Sequence, residues 1–146
     1  MRLALIGQPN CGKSTLFNAV AGYQSATGNF PGTTVHLAWS KVRLNGSTVE
    51  LVDVPGIYSL TALSPTECAA KQFLLDTDLD LIVNVVDASL LERGLELTLE
   101  LRDLGVPMVV CLNMMDEARR RGLAISTEKL AENLGVPVVE TVASRG

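Results

Sequence analysis

Near the start of the chain, Gly7-Gln8-Pro9-Asn10-Cys11-Gly12-Lys13-Ser14 fits the spacing G-x-x-x-x-G-K-[ST]. That pattern is a chemistry of phosphates. Its glycines let the backbone curl until successive N–H groups point inward and cradle an anion. Lys13 adds a mobile positive charge for β- and γ-phosphates, and the Ser14 hydroxyl is placed to ligate Mg²⁺. Thr15 extends the cradle by one residue. A chance match in a Gly-containing turn is the competing reading. The flanks argue against it, because residues 2–6 read as a buried strand and 14–20 as a helix whose positive end faces the anion.

Further along, polar signatures follow in a fixed order. Gly32-Thr33-Thr34 lies in a loop ahead of a hairpin; the Thr34 hydroxyl can reach Mg²⁺ and its N–H the γ-phosphate. Asp53-Val54-Pro55-Gly56 ends a strand, with Asp53 expected on the metal's water shell and the Gly56 N–H on the γ-phosphate. Asn113-Met114-Met115-Asp116 ends another. A carboxylate at Asp116 accepts two N–H bonds from guanine N1 and its exocyclic amine, which adenine cannot supply. In Val142-Ala143-Ser144, the Ala143 N–H can meet guanine O6. Asn-x-x-Asp alone often does no more than cap a helix. Together, in order and at strand ends, these positions specify a guanine nucleotide.

The elements that must position them follow from periodicity and turn chemistry. Residues 22–32 read as a polar, Gly-containing stretch, and 35–44 as a long alternating strand. Asn45-Gly46 signals a hairpin, with 48–52 as the returning strand and 57–63 as a loop. Ser64-Pro65-Thr66-Glu67 opens a helix expected to reach about Leu75. Strands follow at 80–86, 107–112 and 136–141. Helices are expected at 90–104, at 116–121 closed by Gly122, and from Ser126 to the stop at Gly135. Leu95, Leu99 and Leu104 are assigned to the core face of the first of these. The expectation is an α/β fold: a mostly parallel six-stranded sheet with one antiparallel strand and helices on both faces. The chain stops at Gly146, just past a strand, where a doubly wound domain normally adds a covering helix, so a longer protein is expected.

At 146 residues, one domain with one core is expected. Hydrophobic content of 47% and charged content of 19% exclude a disordered chain. A net charge of −4 argues against a nucleic-acid partner. Cys11, Cys68 and Cys111 lack metal-ligand spacing and read as reduced thiols. Apolar runs are broken by Asn84, Asp87 and Asn113 before the roughly 18 residues of a spanning helix. Gly7 ends the first apolar run too early for a signal peptide, so the chain is expected to be soluble and not membrane-inserted.

Four segments carry a family resemblance: Gly7-Gln8-Pro9-Asn10, Asn29-Phe30-Pro31-Gly32-Thr33-Thr34-Val35, Asp53-Val54-Pro55-Gly56-Ile57-Tyr58-Ser59-Leu60 and Asn113-Met114-Met115-Asp116-Glu117-Ala118. Along its whole length the chain resembles the G domain of the ferrous iron transport protein B family, an Era/Ras-like P-loop NTPase fold. It departs from the usual pattern at Gln8, often Asn, and at Cys11, commonly Ser; neither side chain is needed to bind phosphate. The resemblance implies GTP and GDP as ligands, with a location at the cytoplasmic face of a bacterial inner membrane. Helical and transmembrane domains of the same full-length protein would be its partners, alongside self-association of G domains. It further implies that Asn10 helps to hold a K⁺ ion beside the phosphates, completed by carbonyls near residues 29–33.

Mechanism follows from a substitution. Where Ras-like proteins carry a water-orienting Gln after Asp-x-x-Gly, this chain has Ile57, which cannot polarise water. Slow GTP hydrolysis is therefore expected, with K⁺ standing where an arginine finger would act. The catalytic set is Lys13, Asn10, Thr34 and Gly56. An RNA- or ribosome-associated Era-like GTPase and a nucleotide-state switch with incidental turnover are the alternatives. Other residues receive bland assignments: Cys11 as a small filler instead of a redox switch, His36 as an exposed strand residue, Arg119-Arg120-Arg121 as a solvated helix face. Tyr58, Ser64 and Glu67 fall in the second switch region.

Overall fold

The computed structural model describes residues 1–22, 25–30, 35–61 and 63–145. Strand β1 (Arg2–Gly7) leads through the phosphate loop into helix α1 (Lys13–Ala21). Strands β2 (Ala26–Asn29), β3 (His36–Leu44) and β4 (Ser47–Asp53) follow, then α2 (Pro65–Asp76) and β5 (Leu81–Asp87). The rest alternates: α3 (Leu91–Arg102), β6 (Met108–Asn113), α4 (Met115–Arg120), α5 (Thr127–Leu134) and β7 (Val138–Glu140). The strands form one sheet in the order β2-β3-β4-β1-β5-β6-β7. Chain order reverses at β1, which pairs in parallel with both β4 and β5. The loop leaving β1 therefore opens into the crevice where such sheets bind ligands.

Local chemistry explains most of the punctuation. Asn45 and Gly46 have φ of 50° and 85°, the pair of positive values a two-residue hairpin turn needs. The Ser64 hydroxyl accepts the Glu67 N–H at 3.2 Å while Pro65 fills the first helical position. The Ser126 hydroxyl does the same for Lys129, and Gly135 ends α5 in a left-handed turn.

Three expectations needed correction. The sheet has seven strands, because Ala26–Asn29, within the stretch read as polar connection, pairs antiparallel with β3. Ala-Thr-Gly-Asn has little strand propensity of its own; the exposed edge of β3 supplies the ladder. Only β3 runs against the others, as expected. The pattern at 90–104 splits into a 3₁₀ turn at Ala88–Leu90 and α3, because Asp87 Oδ1 accepts from both the N–H and the hydroxyl of Ser89. The core stripe of α3 then falls on Gly94, Leu97, Thr98 and Leu101; Leu99 is exposed, and Leu95 and Leu104 are only partly buried. The final strand is also shorter than expected, spanning Val138–Glu140.

Two cores result from the pleat of the sheet. Ala4 and Ile6 face one side with Phe73, Leu97, Leu101 and Leu134; Leu3 and Leu5 face the other with Phe17 and Ala21 of α1. Helices thus lie on both faces. No helix among the described residues is long and apolar enough to cross a membrane.

Candidate functional site

The phosphate loop owes its shape to positions where only certain residues fit. A Cβ on Gly12, whose φ is 88°, would lie 2.1 Å from Asn113 Nδ2; a Cβ on Gly7 would lie 2.5 Å from the Val85 carbonyl oxygen. Asn10 holds a φ of 66°, a left-handed conformation that Asn tolerates better than most side chains. The loop encloses a cleft of about 350 Å³, lined by residues 8–10 and 12–15 with Gly56. Gly56 belongs there because a Cβ on it would sit 3.1 Å from the Pro9 backbone. Two segments about a third of the chain apart thus share one wall.

Within that cleft the Lys13 ammonium is bonded to Asp53 Oδ1, and both side chains are largely buried, at 8% and 13% exposed. The expected phosphate ligand and the expected metal-shell ligand therefore start as one ion pair. Hard oxygens from Ser14 and Asp53 suit Mg²⁺, an oxygen-seeking cation. Thr34, with Gly32 and Thr33, lies outside the described residues, as does most of the segment expected to complete a K⁺ site.

Asn113 occupies a different place from the one its type suggests. Its side chain is buried, and its Nδ2 donates to the Cys11 carbonyl at 3.0 Å. Its Oδ1 accepts the Ala143 N–H at 2.9 Å and the Thr141 hydroxyl at 3.3 Å. It is a bracket joining the phosphate loop, the end of β6 and the last loop. The Ala143 N–H, expected to meet guanine O6, is spent on Asn113 in this arrangement. Thr141, which the sequence reading passed over, ties the bracket to Cys111 at 3.1 Å. Asn113→Ala leaves the Cys11 carbonyl and the Ala143 N–H without partners, at about 1–3 kcal/mol for each buried group. We expect a clear fall in the urea midpoint of unfolding. An unchanged midpoint would show that the bracket contributes nothing.

Met114 follows in a left-handed turn, with φ of 60°, and its Cε lies 3.5 Å from where a Gly12 Cβ would be. Its thioether therefore lies over the phosphate loop beside the bracket. Asp116, in the first turn of α4, is a quarter exposed and faces Arg145 at 3.5 Å and Arg120 at 4.0 Å. Val142 and Ser144 flank Ala143 on the same loop.

The residues read above as the second switch region are tethered to the end of β1 and to α3. Ile57 is fully buried in the larger core, and its N–H donates to the Gly7 carbonyl at 3.1 Å. Glu100 of α3 accepts from the Ser59 hydroxyl at 2.6 Å and from the Leu60 N–H. Tyr58 stays exposed, whereas Glu67 is buried with Oε2 lacking a hydrogen-bond partner. The Gln8 amide donates to the Arg93 carbonyl at 2.6 Å, which ties the phosphate loop to α3.

Burial pushes the Cys11 thiol above its ordinary pKa, outweighing the Lys13 backbone N–H and charge that pull it down. A reactive thiolate is the opposite condition, which agrees with the filler assignment. His36 is exposed, and no cluster of three His, Cys, Asp or Glu residues occurs among the described residues. Arg119, Arg120 and Arg121 pair with Glu140 and Glu117 on an exposed surface.

Comparison with known proteins gives this constellation a context. The family model for ferrous iron transport protein B matches residues 1–146. The chain is 47% identical over 145 residues to the Fe(2+) transporter FeoB of Legionella pneumophila, covering 97% of this chain and 19% of that protein. It thus spans about a fifth of the length of the curated relatives it matches. Among solved structures, a GDP-bound variant of S. thermophilus NFeoB superposes with a TM-score of 0.90 at 44% identity, covering 99% of this chain and 57% of that one. The cytosolic domain of T. maritima FeoB in its GMPPNP form gives 0.92 at 37%, covering 100% and 58%. The chain belongs to the ferrous iron transport protein B family, and its fold is that family's G domain.

Proposed function

We propose that this chain binds GTP and GDP with Mg²⁺ and hydrolyses GTP slowly, with K⁺ as the accelerator. In the full-length protein the turnover would be coupled to passage of Fe²⁺ across the bacterial inner membrane, the domain standing on its cytoplasmic face. Helical and transmembrane segments of the same protein would receive the signal. The observation that carries the nucleotide reading is the shared cleft: Lys13 and Asp53 beside the phosphate loop, joined through Asn113 to the loop bearing Ala143 and to Asp116. Relatives of this fold with GDP and GMPPNP bound support it. Ser14, Asp53 and Thr34 would hold Mg²⁺, which neutralises charge between the β- and γ-phosphates. The Gly56 N–H would sense the γ-phosphate.

Slow turnover rests on Ile57. A fully buried aliphatic side chain at the place of the water-orienting Gln reaches no nucleophile. Asn10 would then supply one ligand to K⁺. The test is single-turnover GTP hydrolysis in KCl against NaCl, with Asn10 replaced. The positive φ of Asn10 makes Asn10→Ala ambiguous, because Ala is strained there; Asn10→Gly removes the amide and keeps the backbone. Stimulation by K⁺ of ~10-fold is expected, below the 10³ or more of an arginine finger because the ion is shared among weak dipoles. Asn10→Gly should abolish it and leave the NaCl rate alone. Equal rates in both salts would favour a nucleotide-state switch in which turnover is incidental.

A further inference from the structure

Asp116 is the carboxylate that the reading above assigns to guanine, and its Oδ2 already has claimants. Arg145 Nη2 lies 3.5 Å away, reaching from the 3₁₀ turn at Ala143–Arg145; Arg120 Nη2 lies at 4.0 Å from the same helix as Asp116. The two arginines differ in their other commitments. Arg120 has a closer acceptor in Glu117, at 2.9 Å, whereas among the described residues the only ion-pair partner of Arg145 is Asp116.

Arg145 is also presented from a fixed base. Its N–H donates to the Val142 carbonyl at 3.0 Å, and the Ala143 N–H between them is held by Asn113 Oδ1 at 2.9 Å. Asn113 sits three residues before Asp116, so one end of β6 positions both the carboxylate and the turn that carries its cation. The chemistry of the contact is specific. The edge of guanine that a carboxylate recognises, N1–H with the amine on C2, is a planar guanidine unit; the Arg145 head is a guanidinium. Both offer N–H donors in one plane to the same oxygens.

We propose that Arg145 is an internal competitor for the base-recognition carboxylate: its guanidinium and guanine claim Asp116 in turn, so Arg145 sets how tightly the nucleotide is held. This rests on the proposed guanine site and adds a residue to it. A base that takes Asp116 must displace the guanidinium, and the Arg145 turn moves or loosens with it. The loop that contacts the base and the carboxylate that selects it are thereby coupled through one side chain.

The test is equilibrium binding of GDP to the parent chain, Arg145→Ala, Asp116→Asn and the double variant. Arg145 is largely exposed, at 71%, so its replacement does not threaten the core. Arg145→Ala should bind GDP about threefold more tightly, the size of a partly exposed ion pair, and the gain should shrink as salt rises. In the Asp116→Asn background the same replacement should change nothing. Arg120→Ala, whose better partner is Glu117, should leave affinity within error of the parent. Equal or weaker GDP binding by Arg145→Ala overturns the inference, as does a gain that persists without the Asp116 carboxylate. A parent chain that binds no GDP refutes the guanine site itself, a failure visible before any variant is compared.

Discussion

Replacing Lys13 with methionine should weaken binding of Mg²⁺·GTP by ~10²–10⁴-fold, because in the proposed site one ammonium would make charge-assisted bonds to two phosphates and each such bond is worth about 1.5–3 kcal/mol. The single variant carries a second effect. It strands the Asp53 carboxylate, 13% exposed, without its counter-charge, and unpaired buried charge costs about 3–5 kcal/mol. Lys13→Met combined with Asp53→Asn removes both charges together and separates the two effects. Thermal unfolding should show the double variant closer to the parent in stability than Lys13→Met alone. Titration with a fluorescent GTP analogue should still show the loss of affinity. Parent-like affinity in the double variant would mean that the backbone of the loop binds phosphate without help from the ammonium.

The second large effect concerns the base. Asp116→Asn should lower affinity for GDP by ~10²-fold, since a site built around two hydrogen bonds rejects a ligand that leaves its buried polar groups unpaired. Xanthosine diphosphate should gain, because its C2 carbonyl accepts where guanine's amine donates, and an Asn amide can donate. Competition between the two diphosphates for the parent and variant chains measures the reversal. Retention of a guanine preference by Asp116→Asn would place base selection on the Ala143 loop instead. Removal of the Asp116 charge also frees Arg145, so the variant is best compared with Arg145→Ala on the same scale.

These expectations draw on a site whose local devices could be read in one dimension. The phosphate loop, the Asn45-Gly46 turn, the Ser64 cap with Pro65 and the stop at Gly135 are local devices, spanning a few residues each. Their physics is contained in neighbouring residue types: a positive φ, a missing N–H, a hydroxyl within reach of the next turn. Strand ends followed from the same signals, so the order of the candidate ligands was legible too.

What the sequence could not contain is which distant groups meet. Asn113 looked like a nucleotide ligand, yet its amide is consumed by Cys11, 102 residues away, and by Ala143. Lys13 and Asp53 looked like separate ligands and form one buried pair across 40 residues. Leu99 looked like core, but the 3₁₀ turn capped by Asp87 shifted the buried stripe to Leu97 and Leu101. The strand at Ala26–Asn29 exists because β3 offers it an edge. Residue types and spacing carried the class of ligand proposed above, since phosphate and guanine each demand particular donors. Only the tertiary structure decided how those donors are spent, because a hydrogen bond or ion pair between remote segments depends on where the sheet order brings their ends.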